Sequence, residues 1–84
     1  MAGTERWTTA RSARDLGRFV GQARRRRGMS QAALADDLGL TRQYVSELES
    51  GAGNLYITTL FEILDDLDVD VRLVERGVDP EGER

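Results

Sequence analysis

Arg42, Gln43, Ser46 and Glu47 each carry a side chain able to make directed hydrogen bonds, and their spacing places them on one outer face if residues 42 to 50 are helical. Arginine presents a planar fork that can meet guanine in bidentate fashion, and glutamine can do so with adenine. A carboxylate can accept from a cytosine amino group, although a negative charge near phosphates is costly, so a structural or selectivity-setting role for Glu47 competes with base contact. These four are the candidate base-contacting residues. Around them Ser30, Gln31, Thr41, Tyr44, Arg25 and Asn54 are the candidate phosphate contacts. Gln31 is placed to open a helix, where backbone N–H groups and the helix dipole favour an anion. Tyr44 can reach a phosphate or pack on the preceding helix. The chemistry on offer is recognition of double-stranded DNA.

Catalysis has little to work with. The chain has no histidine and no cysteine, which removes the commonest general base, disulfides and thiolate metal sites. We therefore expect neither an enzyme nor a metal or cofactor.

Positioning the four readers requires two helices crossing at a sharp turn, and QAALADDLGLTRQYVSELES, residues 31 to 50, has the pattern. Ala35 is small enough for a second helix to pass, Gly39 can take the left-handed conformation that ends the first helix, and Leu34, Leu38, Leu40, Val45 and Leu48 supply a buried seam. Ser30 caps the first helix and Thr41 the second. A plain helical hairpin could share these spacings. An earlier helix is expected over about 13 to 27, with Ser12 and Asp15 as a capping box, Leu16, Phe19, Val20 and Ala23 as its apolar stripe, and Gly17 and Gly21 as surfaces that admit a close neighbour.

Net charge is −3, but it is divided unevenly. Residues 11 to 28 hold seven arginines against Asp15 alone, a balance of +6, whereas residues 29 to 84 hold four arginines against thirteen carboxylates, a balance of −9. A polyanion binds a local basic face rather than the average. Within the run Arg24 to Arg27, Arg24 falls near the apolar stripe and is expected to turn inward onto an acid. Arg25 and Arg26 are expected to point to solvent or to backbone phosphates, and Arg27 again lies near the stripe.

A fourth helix carries Ile57, Leu60, Ile63, Leu64 and Leu67 on one side, with Asn54 as its cap if it starts early enough. After Leu67 the period changes to 2. Val69, Val71 and Leu73 alternate with charged residues, as in a short half-buried strand whose simplest partner is the same strand of a second copy, antiparallel about a two-fold axis. A tail lying on its own domain is the alternative. The expected organisation is an N-terminal arm (1–11) that holds Trp7, a DNA-binding domain (12–67), a dimerisation strand (68–76) and a disordered tail (77–84). The class is all-α: four helices plus the C-terminal strand. Without an apolar run of membrane-spanning or signal-peptide length, a cytoplasmic location and no membrane association are expected.

With these elements in hand, residues 12 to 67 resemble a lambda-repressor-type helix-turn-helix domain of the Xre family. The ending ITTLFEILDDLDVDVRLVE, with a strand in place of a fifth helix, is most similar to HipB-type antitoxins. The resemblance implies a buried ion pair between Arg24 and Glu49, operator contacts by Gln31, Arg42, Gln43 and Ser46, and strands Val69, Val71 and Leu73 paired in a homodimer on an inverted-repeat operator. It also implies a HipA-type serine/threonine kinase toxin as partner, neutralised by a protein that represses its own operon. A stand-alone Xre-type regulator without a toxin is the alternative, and a protein-interaction module that has lost DNA binding is a third reading.

Overall fold

The computed structural model describes residues 6–52 and 54–76. Six elements follow in order: β1 (Trp7–Ala10), α1 (Ala13–Arg26), α2 (Gln31–Leu38), α3 (Arg42–Ser50), α4 (Leu55–Asp66) and β2 (Val71–Val74). Each helix starts at a side chain that accepts from a backbone N–H, namely Ser12 from Asp15, Ser30 from Ala33, Thr41 from Tyr44 and Asn54 from Ile57. Asn54 therefore is the cap of α4. Asp15 reaches back to the backbone N–H of Arg11, one residue before the position a capping box would use.

The helices end alike. Gly28, Gly39 and Gly51 follow α1, α2 and α3 with positive φ, and after α4 the position falls to Asp68, the only described non-glycine residue with positive φ (58°). In all four cases the next residue donates back into the last helical turn, as from Leu40 to the Ala35 carbonyl and from Val69 to the Leu64 carbonyl.

The architecture is mostly helical with a small sheet. α1 crosses α3, and α2 packs on α3 as the helix-turn-helix. Ala35 and Val45 are buried at that turn, while Phe19 and Phe61 bring α1 and α4 into the same small core. A Cβ at Gly17 would run into the Leu48 carbonyl oxygen and lie 2.6 Å from that of Glu49, so the crossing of α1 and α3 depends on the missing side chain. Leu38 and Leu40, expected in the seam, are exposed. They lie at and just after the end of α2, past the point where α3 turns away.

The N-terminal segment, expected as a flexible or extended arm, is extended and paired. Trp7–Ala10 is a strand, antiparallel to β2, with Trp7 opposite Val74, Thr8 opposite Leu73, Thr9 opposite Arg72 and Ala10 opposite Val71. β2 is thus not the lone strand its context suggested: its partner lies in its own chain, at the opposite end of the sequence. Ala10 is fully buried, Val71 and Leu73 are half-buried, and Arg72 and Val74 face out. Arg72 lies over the Trp7 ring, 5.0 Å from its centroid. The tail expected to be disordered, residues 77–84, lies outside the described residues.

Candidate nucleic-acid interface

Thr41 Oγ1 accepts from the Tyr44 N–H at 3.0 Å and fixes the first turn of α3. From that turn Arg42 and Gln43 project into solvent, Glu47 follows one turn later, and Ser46 is half-buried between them. The Gln43 amide donates to Glu47 Oε2 at 3.1 Å, which leaves its carbonyl oxygen and one N–H outside that bond. Arg42 makes no side-chain ion pair with any described residue. Tyr44 is half-exposed and borders, with Glu47, Leu48, Ala52 and Asn54, a small hollow beside α3.

The start of α2 is tied to the back of α3 through one carboxylate. Arg24 donates to Glu49 Oε2 at 2.6 Å and to Oε1 at 3.1 Å, and also to the Met29 carbonyl at 2.7 Å. Both side chains of this pair are only 9% exposed. Gln31 donates its amide to the same Glu49 Oε1 at 3.0 Å. The hydrogen bond from Arg24 holds the Glu49 carboxyl below its ordinary pKa against the opposing effect of burial, with Gln31 and the charge of Arg25 adding to it. Arg24 is held protonated by the same bond. Gln31 thus stands at the α2 N-terminus as a side chain held by the Arg24–Glu49 pair.

The basic run divides differently from expectation. Arg26 does not face solvent or phosphate: its Nε donates to Glu75 at 2.8 Å, and its guanidinium lies 5.9 Å from the Phe19 ring centroid. Arg27 reaches the other Glu75 oxygen at 3.4 Å and the Arg76 carbonyl at 2.9 Å. Burial would raise the Glu75 carboxyl, but Arg26 and Arg27 hold it below its usual range. Glu75, which sequence reasoning did not single out, clasps α1 to the end of β2. Its partners lie nearly fifty residues away, and no local pattern announces it.

Arg25 remains exposed, and Arg14 and Arg18 were also overlooked. All three side chains project from α1 within an arc of about 40°, since successive residues turn by about 100°. None makes an ion pair with another described residue. Their i, i+4, i+11 spacing was the available signal. Asn54 and Ser30 spend their side-chain oxygens on capping, although the Ser30 and Thr41 hydroxyls keep a proton to donate.

A capped, solvent-facing α3 carrying Arg42, Gln43 and Glu47 and packed on α2 across a sharp turn is the geometry of a helix-turn-helix. Residues 20–74 match the helix-turn-helix family HTH_3. The chain belongs to that family. HTH_3 proteins are DNA-binding transcription regulators, typically without enzymatic activity. The match extends past α4 to the end of β2. No curated protein and no solved structure matches the chain. No described helix is long and apolar enough to cross a membrane.

Proposed function

We propose that this HTH_3 protein is a sequence-specific repressor that binds an inverted-repeat operator as a two-fold dimer. One observation carries the reading: Arg42, without an ion pair among the described residues, and Gln43 stand at the exposed start of α3, on a turn fixed by Thr41, where a major groove would receive them. Arg42, Gln43, Ser46 and Glu47 read bases. The α2 N-terminus with Ser30 and Gln31, together with Thr41, Tyr44, Asn54 and Arg25, positions the phosphates, and the α1 row adds Arg14 and Arg18. Selection of operators from a random-sequence duplex pool should yield one palindromic site whose half-site centres lie about one helical turn, or a multiple, apart. Recovery of no consensus would overturn sequence-specific recognition.

The reading extends to an antitoxin of the HipB type. Its support is a strand following α4 after a four-residue turn (67–70), together with Glu62, Asp65, Asp66 and Asp68, all exposed, on a helix and turn that carry no cation. Such a surface repels phosphate and suits a basic protein. The partner would be a HipA-type kinase toxin, bound while α3 stays on DNA. Co-expression with a HipA-type kinase encoded beside the gene tests this: the protein should co-purify with the kinase and suppress its activity. Replacing Glu62, Asp65 and Asp66 by lysine should weaken capture and leave operator affinity unchanged or higher.

A further inference from the structure

Between β1 and α1 lies a half-open cavity of about 240 Å³. Trp7 and Phe19 supply aromatic walls, and Thr8, Thr9 and Gln22 bring hydroxyl and amide groups to it. Asp15 and Arg18, both on α1, add one charge of each sign. The two rings are held by side chains that do not line the cavity: Arg72 lies 5.0 Å from the Trp7 ring centroid and Arg26 lies 5.9 Å from that of Phe19.

Most of that polar capacity is unspent. Thr8, Thr9, Arg18 and Gln22 make no side-chain hydrogen bond with any described residue. Asp15 gives one carboxylate oxygen to the Arg11 N–H at 2.9 Å and keeps the other. Asp15 and Arg18 stand three residues apart on one helix, a spacing at which opposite charges meet, yet no ion pair joins them. A cation and an anion held apart beside aromatic walls match a ligand that carries both charges. The carboxylate of an α-amino acid would take the Arg18 fork, its ammonium the open Asp15 oxygen, and a flat side chain the space beside Trp7 and Phe19. A simple carboxylate or phosphate would meet Asp15 as a like charge, and an amine would meet Arg18. The cavity lies below the roughly 300 Å³ at which drug-sized sites begin, so it suits one amino acid.

We propose that this cavity is a binding site for a free aromatic α-amino acid. Occupancy engages Arg18, one of the three arginines in the α1 row, and so lowers the charge that the row offers to DNA. That consequence rests on the phosphate contact proposed above for Arg18; the site itself does not.

Trp7 is the only tryptophan in the chain, so its fluorescence reports on this cavity. Phenylalanine, titrated into the full chain without DNA, is the probe; phenethylamine and 3-phenylpropionate are matched ligands that each lack one charge. Phenylalanine should change the Trp7 emission saturably, with a dissociation constant below about 1 mM. Each matched ligand should bind at least about 10-fold more weakly, the scale of one hydrogen bond to a charged group. Asp15→Asn should weaken phenylalanine by about the same factor while keeping the helical circular dichroism of the wild type. No change of emission with phenylalanine at about 10 mM, or equal binding of phenylalanine and either matched ligand by the wild-type chain, would overturn the site. With random duplex present, saturating phenylalanine should reduce the slope of log affinity against log salt by about one unit in the wild type and by less in Asp15→Asn, which keeps Arg18. An unchanged wild-type slope alongside saturable phenylalanine binding would overturn the coupling to DNA alone, which separates the two claims.

Discussion

Arg42 and Arg25 are both exposed arginines on a DNA-binding domain, yet their settings assign them different work. Arg42 opens the helix that would enter the groove, so Arg42→Ala should lower affinity for the operator by about 1–3 kcal/mol and relax preference at one base pair per half-site. Arg25 lies in the last turn of α1, outside the helix-turn-helix, and is proposed as a phosphate contact. Arg25→Ala should weaken all DNA alike and reduce the slope of log affinity against log salt by about one unit. Titrations against operator and random duplex at several salt concentrations separate the two, and equal loss on both duplexes for Arg42→Ala would refute base reading. Glu49 and Glu75 make a prediction about pH. Both carboxyls are held below their ordinary range in the folded state, so the stability they contribute is fully present above the unfolded value near 4.3 and is lost as pH falls through the folded values. Denaturant midpoints should be flat from neutral pH to about 5 and then fall steadily, and Glu49→Gln with Glu75→Gln should flatten that acid limb. An unchanged limb would show that other groups set it. At this scale the sequence was legible where helical period and resemblance agreed, as for Arg24 and Glu49. It was illegible for Arg26, because a helix alone shows only that the residue lies off the stripe. What covers that side is a carboxylate delivered by the far end of the chain.

The helices were legible as elements because each carries its own start and stop: an oxygen that caps, an apolar period, and a residue that turns left-handed. β1 was not. WTTA is only four residues long and two of its positions are polar, so it has too few alternations to register a period, and its strand character depends on pairing with β2. Two substitutions test the physics at this level. Gly17→Ala would gain about 1 kcal/mol of helix propensity in an isolated α1. In the protein it should be destabilising by about 1–3 kcal/mol net, because the new Cβ meets backbone oxygens of α3 that cannot move without shifting the whole helix. A stabilised Gly17→Ala protein in urea melts would mean that the crossing is looser than described. Asp68→Gly should act the other way. A left-handed conformation costs a side-chain-bearing residue roughly 1–2 kcal/mol, less for aspartate, so the glycine should raise stability by up to about 1 kcal/mol. A lower denaturant midpoint for Asp68→Gly would count against that strain.

The whole molecule joins its two described ends: β1 lies against β2, and Glu75 is gripped by α1. A chain ending at Leu67 loses β2, the Glu75 clasp and part of any dimer contact at once. It should melt earlier than the full chain and associate more weakly, because folding and assembly are linked. Sedimentation and thermal melts would check both. A truncated chain as stable as the parent would mean that the sheet is ornamental. The same closure orders events in time. The strands that pair are separated by about sixty residues, so their loop is the longest in the fold and the last that chain entropy favours closing. On the ribosome, α1, α2 and α3 can assemble before β2 has been made, leaving Phe19, Val20 and Leu34, which border a groove that Val74 and Glu75 complete, without that cover. Opening of the mature protein retraces this path. Amide hydrogens of the sheet should exchange well before those of α1 and α3, and a protease that requires an unstructured entry point should first find it at Trp7–Ala10.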